Sequence, residues 1–227
     1  MRRIIKILKF IGRLFSENYK TIYFNFHYLP FRKAIEFPVI LSRKVYLRKT
    51  KGTLTIDGPV SYGMIKMGFG EVGIFDKKVT RCIWEVAGTV KFLGRAQIGF
   101  GSKFSVAESG ELIIGANFSV KAESTIIVIK KVEFGKNCLL SWDILVMDTD
   151  FHKIKNEHGF IINNPEQIMI GDHVWIGCRC LILKGASIPN NSVLGANSVF
   201  GKKMDNPNSI YSGSPAKLIK ENITWER

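Results

Sequence analysis

A short polar segment near the middle of the chain carries side chains suited to proton transfer. Asp148, Asp150 and His152 lie close together in the sequence Asp-Thr-Asp-Phe-His. Histidine titrates near neutrality and can take the proton of a hydroxyl group as that group attacks an electrophile. A neighbouring carboxylate can fix the histidine tautomer and stabilise the imidazolium ion. We predict that His152 is a general base; the spacing leaves open which aspartate orients it, and the competing interpretation is a solvated loop residue.

The elements that must position this segment repeat every six residues. From Ile170 to Phe200 every sixth residue is apolar, and glycine follows four of these six positions. Neither an α-helix nor a β-strand has this period, whereas hexapeptide repeats are typical of a parallel β-helix. The same spacing, with slips of one or two residues, runs from Val86 to Val146. We therefore predict an all-β fold in which three hexapeptides form one coil and the leading apolar side chains fill a triangular core.

The segment that contains His152 is where the six-residue spacing is lost, between Val146 and Ile170. This interruption predicts a loop over residues 148–168 that is expelled from the β-helix, and loops on rigid scaffolds often carry function. A narrow prism is filled by its own core, so we expect the active site outside it. Solenoids of this kind bury flat faces against copies of themselves, which predicts a homotrimer.

The charge of the chain is concentrated at its N-terminal end. The net charge is +14, but residues 1–51 contain 13 Lys/Arg and 2 Asp/Glu, so the other residues carry only +3. No recognised nucleic-acid motif accompanies the charge, so we expect no nucleic-acid partner. The four cysteines are scattered without the spacing of a zinc site, which favours a reduced, cytoplasmic protein. No apolar run of about 18 residues occurs, so no transmembrane helix is expected.

The basic segment, residues 1–52, is predicted to lie outside the repeats. Met1 to about Tyr19 has the pattern of an amphipathic helix with one apolar and one basic face. Two compatible interpretations stay open: the helix contacts the inner face of the cell membrane through residues 1–20, or it caps the β-helix. The rest of the segment is predicted to wrap the base of the β-helix. The β-helix domain is assigned to residues 53–212 and a C-terminal tail to residues 213–227.

Three stretches carry a resemblance to a known family. They are SWDILVMDTDFHKI, IGDHVWIGCRCLILKGASIPNNSVLGANSVFGKKM and GSPAKLIK. With them, the chain from about Leu54 to Lys220 resembles the left-handed β-helix, hexapeptide-repeat acyltransferases, and it looks most like the galactoside, maltose and bacterial surface-polysaccharide O-acetyltransferases. The resemblance implies left-handed winding, acetyl-CoA as the acyl donor and no metal.

The resemblance also implies site residues. His152 occupies the position of the family's catalytic base. Cys178 stands where the family often has serine, and it lies three hexapeptides, or one coil, before Ala196. Trp142 and Asp143 are expected to border the acceptor. The full set of expected cofactor-binding residues is Trp175, Cys178, Ala196, Gly201, Lys202, Lys217 and Lys220.

The expected activity is O-acetyl transfer from acetyl-CoA to a sugar hydroxyl, of a surface polysaccharide or its lipid-linked precursor, by direct attack. Two alternatives stay open. A metal enzyme similar to the γ-type carbonic anhydrases would need clustered histidines, and the four histidines here are poorly placed for that. A non-catalytic β-helix that serves as a binding scaffold would not need the intact Asp-Thr-Asp-Phe-His segment.

Overall fold

The structure is a computed structural model that describes residues 11–70 and 72–227. Residues 11–16 are helical, and two helices follow, α1 (Tyr19–Tyr28) and α2 (Phe31–Ala34). The strands that follow are β1 (Val39–Leu41), β2 (Val45–Thr50), β3 (Thr53–Ile56), β4 (Ile65–Phe69), β5 (Cys82–Val86), β6 (Thr89–Phe92), β7 (Ala96–Gly99), β8 (Lys103–Val106), β9 (Glu111–Ile114), β10 (Phe118–Ala122), β11 (Thr125–Val128), β12 (Lys131–Phe134), β13 (Leu139–Trp142), β14 (Leu145–Met147), β15 (Ile168–Ile170), β16 (Trp175–Ile176), β17 (Leu181–Leu183), β18 (Ser187–Ile188), β19 (Val193–Leu194), β20 (Val199–Phe200), β21 (Ile210–Gly213) and β22 (Ala216–Lys220).

These strands wind into a three-sided β-helix, so the predicted all-β, parallel fold is confirmed. Sheet A has the order β1-β4-β7-β10-β13-β16-β19-β21-β22, sheet B the order β2-β5-β8-β11-β14-β17-β20, and sheet C the order β3-β6-β9-β12-β15-β18. Each coil adds one strand to each sheet, and neighbouring strands are parallel except for the final pair, β21 and β22. The corners between sheets are named here the A–B, B–C and C–A corners.

The strand register explains the period of six. In the last coils Ile176 pairs with Leu194, a separation of three full hexapeptides. Upstream, Val120 pairs with Leu140 and Ile98 pairs with Val120, and both separations are slightly longer than three hexapeptides. These residues are buried and alternate with outward-facing ones. The slips in the sequence pattern are therefore extra corner residues, inserted where they do not disturb the core.

Two insertions leave the β-helix. Residues 148–167 connect β14 and β15, as the interruption predicted, and a bridge joins Lys155 to Ile161 within them. A second insertion lies between β4 and β5, at the A–B corner, and its Phe75 ring packs 6.3 Å from that of Phe100. The sequence pattern predicts only the first insertion, because no motif marks the second.

Helix α1 covers the free edge of strand β1. The Asn25 side chain donates to the Val39 carbonyl at 2.7 Å and accepts from the Val39 N–H at 3.1 Å. The Thr21 hydroxyl accepts from the Leu41 N–H at 2.9 Å and lies 3.2 Å from its carbonyl oxygen. These two side chains supply the hydrogen bonds that a preceding strand would make, which closes an edge open to aggregation.

The N-terminal segment differs in detail from its predicted form. Residues 1–10 of the predicted amphipathic helix lie outside the described residues. The helical residues 11–16 end before Asn18, whose side chain caps the N-terminus of α1. Strands β1 and β2 lie within the segment predicted to wrap the base, so the first coil begins at Val39. Among the described residues no helix is long and apolar enough to cross a membrane.

Candidate functional site

The loop that carries His152 leaves the β-helix at the B–C corner. The His152 side chain is exposed. Its backbone is held at both ends, since its N–H donates to the Asp150 carbonyl at 2.7 Å and its carbonyl accepts from the Asn163 amide at 2.7 Å. Asn163 also accepts from the Ile154 N–H at 2.7 Å. Asn163, which lies later in the loop, therefore holds the backbone around His152 by hydrogen bonds to the His152 carbonyl and the Ile154 N–H.

Asp150 anchors the loop to the next coil. Its carboxylate accepts from Lys184 Nζ at 2.6 Å and from the Asn163 amide at 2.9 Å. Lys184 lies at the B–C corner directly after β17. The hydrogen bond from Lys184, followed by that from Asn163, lowers the pKa of Asp150 below its usual value.

Asp148 holds the preceding coil. Its carboxylate is buried and accepts from the backbone N–H groups of Ile129, Lys130 and Lys131, each at 2.8 Å. Three backbone donors satisfy a buried carboxylate, so this residue fixes the turn between β11 and β12. Within the described residues no hydrogen bond joins the His152 ring to Asp148 or Asp150. Both aspartates predicted as partners of the histidine therefore contact other groups.

Two lysines, Lys184 and Lys202, follow successive strands of sheet B at the B–C corner. Lys202 follows β20, is exposed, and its carbonyl accepts from the Ser187 N–H at 3.3 Å. Gly201 precedes Lys202 and lies next to Gly185 of the preceding coil. A Cβ atom added at Gly185 would lie 3.9 Å from the Gly201 carbonyl oxygen.

The second group of expected residues lies at the A–B corner. Trp142 and Cys178 stack on successive coils, since the Trp142 carbonyl accepts from the Arg179 N–H at 3.0 Å. Cys178 and Ala196 stack in the same way, because the Cys178 carbonyl accepts from the Asn197 N–H at 2.8 Å. This stacking is what their spacing of one coil predicted.

The residues stacked at the A–B corner, Trp142, Cys178 and Ala196, are named here the A–B corner row. The row has further neighbours on both sides. Asp143 forms an ion pair with Arg179 at 3.5 Å. The β21–β22 hairpin closes the row at the other end, where Ser198 Oγ accepts from the Gly213 N–H at 3.0 Å. Lys217 and Lys220 lie on β22 of this hairpin and are exposed.

Trp175 lies on the outer face of sheet A. Its indole N–H donates to Ser141 Oγ at 3.2 Å, and its ring centroid is 6.0 Å from that of Trp225. Trp225 in turn stacks on His173, with centroids 4.1 Å apart and planes 6° from parallel. The C-terminal tail thus adds an aromatic side chain to this wall.

Three residues of this site were not predicted from the sequence: Asn163, Lys184 and Trp225. Asn163 and Lys184 follow His152 at a distance in the chain, and their contacts depend on how the inserted loop folds back on the next coil. The sequence signal for Lys184 was its position two residues after the core residue Ile182, where the repeat predicts a corner. Trp225 lies outside all the matched motifs.

The two groups lie on opposite edges of sheet B. Cys178 stands at the A–B corner and Lys184 at the B–C corner of the same coil. About six residues of extended chain separate them, which corresponds to roughly 20 Å. The loop that carries His152 is anchored through Asp150 to Lys184, at the edge of sheet B opposite to Cys178.

The outer face of sheet B between the two groups is apolar. In the lower coils its outward positions, which alternate with buried core residues, are Leu145, Met147, Leu181, Leu183 and Val199. The loop adds further exposed apolar side chains: Phe151, Ile154, Phe160, Ile161 and Ile162. Exposed apolar side chains in such number are typical of surfaces that contact another molecule.

Two cysteines of the β-helix core, Cys82 and Cys138, are buried. Burial raises the pKa of Cys138 and of Cys82 to about 11, so both thiols are protonated near neutral pH and are poor nucleophiles. No group of three or more His, Cys, Asp or Glu side chains comes together within residues 11–70 and 72–227.

Comparison with known proteins gives consistent names. No protein-family model matches the chain. A polysialic acid O-acetyltransferase of Neisseria meningitidis is 44% identical over 46% of this chain and 49% of its own length. The galactoside O-acetyltransferase of Escherichia coli K12 is 34% identical over 48% of this chain and 53% of its own. The chain thus spans about half the length of these two curated relatives.

Solved structures extend the match over most of the chain. The polySia-specific acetyltransferase NeuO, 23% identical, shares the fold with a TM-score of 0.62 over 82% of this chain and 90% of its own. The polysialic acid O-acetyltransferase OatWY is 30% identical, with a TM-score of 0.53, over 83% of this chain and 87% of its own. The chain belongs to the hexapeptide-repeat acyltransferases, whose fold is the left-handed β-helix.

Proposed function

We propose that the protein transfers an acetyl group from acetyl-CoA to a hydroxyl group of a surface polysaccharide or its lipid-linked precursor. The observation that carries the proposal is the placement of His152: its side chain is exposed, its backbone is held by Asn163, and the neighbouring Asp150 is paired with Lys184 of the β-helix. The names of the relatives, which are O-acetyltransferases of polysialic acid and galactosides, support the reaction class and the kind of acceptor.

We assign the active form to a homotrimer. The apolar face of sheet B would turn toward a threefold axis, which buries it against two copies. In that arrangement the A–B corner of one chain meets the B–C corner of its neighbour. The two halves of the site, separated by sheet B within one chain, would then face each other across the subunit boundary.

In this assembly the donor lies in the cleft between two chains. Backbone groups at Cys178 and Ala196 would bind the pantetheine arm. Lys202 of the B–C corner, with Lys217 and Lys220 of the hairpin, would attract the phosphates of coenzyme A as point charges. Trp175 would line the thioester end, with Trp142 and Asp143 beside the acceptor.

The reaction then needs one base and no covalent enzyme intermediate. The acceptor oxygen attacks the thioester carbonyl as His152 takes the hydroxyl proton. The C–S bond breaks, the coenzyme A sulfur takes that proton, and the acetyl ester leaves on the sugar. Asp148 and Asp150 act as positioning residues in this scheme, because they fix the loop rather than the imidazole ring.

The test is acetyl transfer with mono- and oligosaccharide acceptors, followed as coenzyme A release and by mass spectrometry of the product. His152→Ala is expected to lower kcat by roughly 10²- to 10⁴-fold, as loss of a general base does, while coenzyme A still binds. Transfer at the unmodified rate by His152→Ala, across a broad acceptor panel, would contradict the assignment. Stoichiometric zinc that the reaction requires would favour the metal-enzyme alternative.

Location at the inner face of the cell membrane is a separate part of the proposal. It rests on the basic, amphipathic pattern of residues 1–20, the first ten of which lie outside the described structure. Flotation of the full chain and of a chain without residues 1–20 with anionic liposomes tests it. Equal partitioning of the two would count against membrane contact.

A further inference from the structure

The outer face of sheet A carries a groove in its upstream coils. Lys66, Gln97 and Ser119 stand side by side on β4, β7 and β10. Lys66 and Gln97 are exposed, and Ser119 is 5% exposed at the base of the groove. A cavity of about 250 Å³ covers these strands, and a second of about 370 Å³ adjoins it toward the C–A corner. The two cavities share Gln97, Ser119 and Lys121, so they form one continuous groove.

The groove is lined by cations. Lys66 and Lys121 lie in its centre, and Arg95 and Arg227 lie at the C–A corner. Among the described residues that line either cavity there is no carboxylate side chain, and no ion pair joins any of these four cations to an acidic side chain. Residues 52–227 carry a net charge of only +3, so this is a local concentration of positive charge. A concave surface of one sign focuses its field on a ligand of the opposite sign.

The types of side chain indicate the anion. Arginine binds carboxylate or phosphate oxygens through two parallel hydrogen bonds, and Arg227 is held over the groove by its bond to the Asn117 carbonyl at 3.2 Å. Gln97 and Ser119 add neutral donors and acceptors suited to hydroxyl and amide groups. Two aromatic residues, Phe69 and Phe118, are among the described residues of the groove, and the Phe118 side chain is buried in the core, whereas non-specific single-stranded nucleic-acid sites use several exposed, stacked rings.

The groove leads to the A–B corner row. On β10, Ala122 pairs with Trp142 of β13, so Lys121 lies one strand, or about 4.8 Å, from Ser141 and Trp142. Ser141 in turn accepts the indole N–H of Trp175. A chain-like ligand in the groove would therefore place one of its units beside Trp142, which is assigned above to the acceptor, and near Trp175, which is assigned to the thioester end.

We propose that this groove binds an acidic glycan, whose carboxylate or phosphate groups contact the lysines and arginines, and that this glycan is the acceptor. The assignment rests on the proposed acetyl-transfer function. It adds the class of substrate, an extended anionic chain rather than a neutral sugar, and the residues that select it.

The direct test is binding of fluorescent oligosaccharides in the absence of any acyl donor. The probes are a carboxylated chain (oligosialic or oligogalacturonic acid), a phosphorylated oligosaccharide and a neutral maltooligosaccharide. The wild-type chain is expected to bind an acidic probe, to bind the neutral probe at least tenfold more weakly, and to lose affinity for the acidic probe as salt rises. Which acidic probe binds more tightly distinguishes carboxylate from phosphate recognition.

The decisive variant is the pair Lys66→Gln and Lys121→Gln. It is expected to weaken acidic-glycan binding about tenfold. The control pair Lys49→Gln and Lys51→Gln removes the same charge outside the groove and is expected to bind as the wild type does. At the exposed Gln97, Gln97→Glu is expected to weaken binding and Gln97→Lys to strengthen it, which excludes a simple loss of folding.

Several outcomes would overturn the groove assignment. They are equal affinity of the groove pair and the control pair, equal affinity for neutral and acidic probes, or tighter binding of a DNA oligonucleotide than of every acidic glycan. Its failure can be separated from failure of the proposed function. Transfer to the acidic glycan at an unchanged kcat/KM in the groove pair would leave the acetyltransferase function intact but contradict the groove assignment. If the glycan binds through Lys66 and Lys121 but no acetyl group is transferred to it, the groove is an acidic-glycan site and the glycan is not the acceptor.

Discussion

Asp148 and His152 lie four residues apart in the chain but have different environments. The sequence shows both as candidates for one catalytic pair. The structure buries the Asp148 carboxylate on three backbone N–H groups and leaves the His152 ring in solvent. The sequence could predict the histidine, because a motif marks it. It could not predict the buried aspartate's contacts, because they cross to another coil.

Asp148→Asn separates the two residues experimentally. The amide keeps one acceptor oxygen but places an NH₂ group against backbone donors, and charge-assisted hydrogen bonds are lost. A free-energy loss of about 3 kcal/mol is expected, which lowers Tm by roughly 10 °C for a chain of this size. Thermal unfolding followed by circular dichroism measures it.

The control for this prediction is Asp57→Asn, at an exposed carboxylate, which is expected to shift Tm by less than about 2 °C. His152→Ala should also leave Tm nearly unchanged while activity falls. An Asp148→Asn protein as stable as the Asp57→Asn control would contradict the buried role.

At the scale of elements, the loop depends on one anchor to the coil below. The Asp150–Lys184 contact at 2.6 Å is the ion pair that joins the described loop to the β-helix. Lys184→Met should release the loop, so that its backbone amides exchange faster and kcat falls roughly tenfold as His152 loses its position. Hydrogen exchange measured by mass spectrometry, alongside acetyl transfer, follows both effects.

The double variant Asp150→Asn with Lys184→Met checks the anchor. Its effect should be smaller than the sum of the two single effects, because the ion pair is common to both variants, whereas Asp150→Asn also weakens the bond from Asn163; strictly additive effects would contradict the anchor.

The pH dependence of this anchor follows from the lowered pKa of Asp150. A depressed carboxyl pKa means that the contact is fully present above the ordinary value of 3.8 and is lost only as pH falls through the lower, folded-state value. Loop exchange, corrected for the intrinsic rate, should therefore be constant from pH 8 down to about pH 5. A loosening of the loop within that range would show that another group holds it.

The cap at the N-terminal end is a second element-scale device. Asn25→Ala leaves the N–H and C=O of Val39 without their side-chain partners, which is expected to cost about 2 kcal/mol. Chemical denaturation should show a lower midpoint, and the exposed β1 edge should promote aggregation. Asn164→Ala, at an exposed asparagine, is the matched control, and an equal midpoint in both variants would contradict the capping role.

At the scale of the whole molecule, the β-helix could be predicted from the sequence because its core residues recur at a fixed spacing. Each coil places one apolar residue per side into a shared interior, so packing itself imposes the spacing of six. The six-residue spacing did not predict the cap formed by helix α1 or the first coil, which contains strands β1 and β2. Strands β1 and β2 have Val-Ile-Leu and Val-Tyr-Leu segments without the glycine that follows the later repeats, and Asn25 and Thr21 act only through tertiary contacts. Quaternary structure was an expectation from fold class, and the apolar face of sheet B now gives it a specific surface.

A site shared between chains can be tested by mixing two inactive variants. His152→Ala removes the base from the loop, and Ala196→Trp fills the A–B corner at an exposed position without disturbing the core. If each site combines the loop of one chain with the corner of its neighbour, random exchange of equal amounts restores about a quarter of the sites, since each needs an intact loop beside an intact corner. If both halves belong to one chain, no mixed trimer contains an intact site and activity stays at the background of the separate variants. Light scattering of each variant confirms that both assemble, and Leu181→Asp, which charges the sheet B face, should abolish assembly and restoration together.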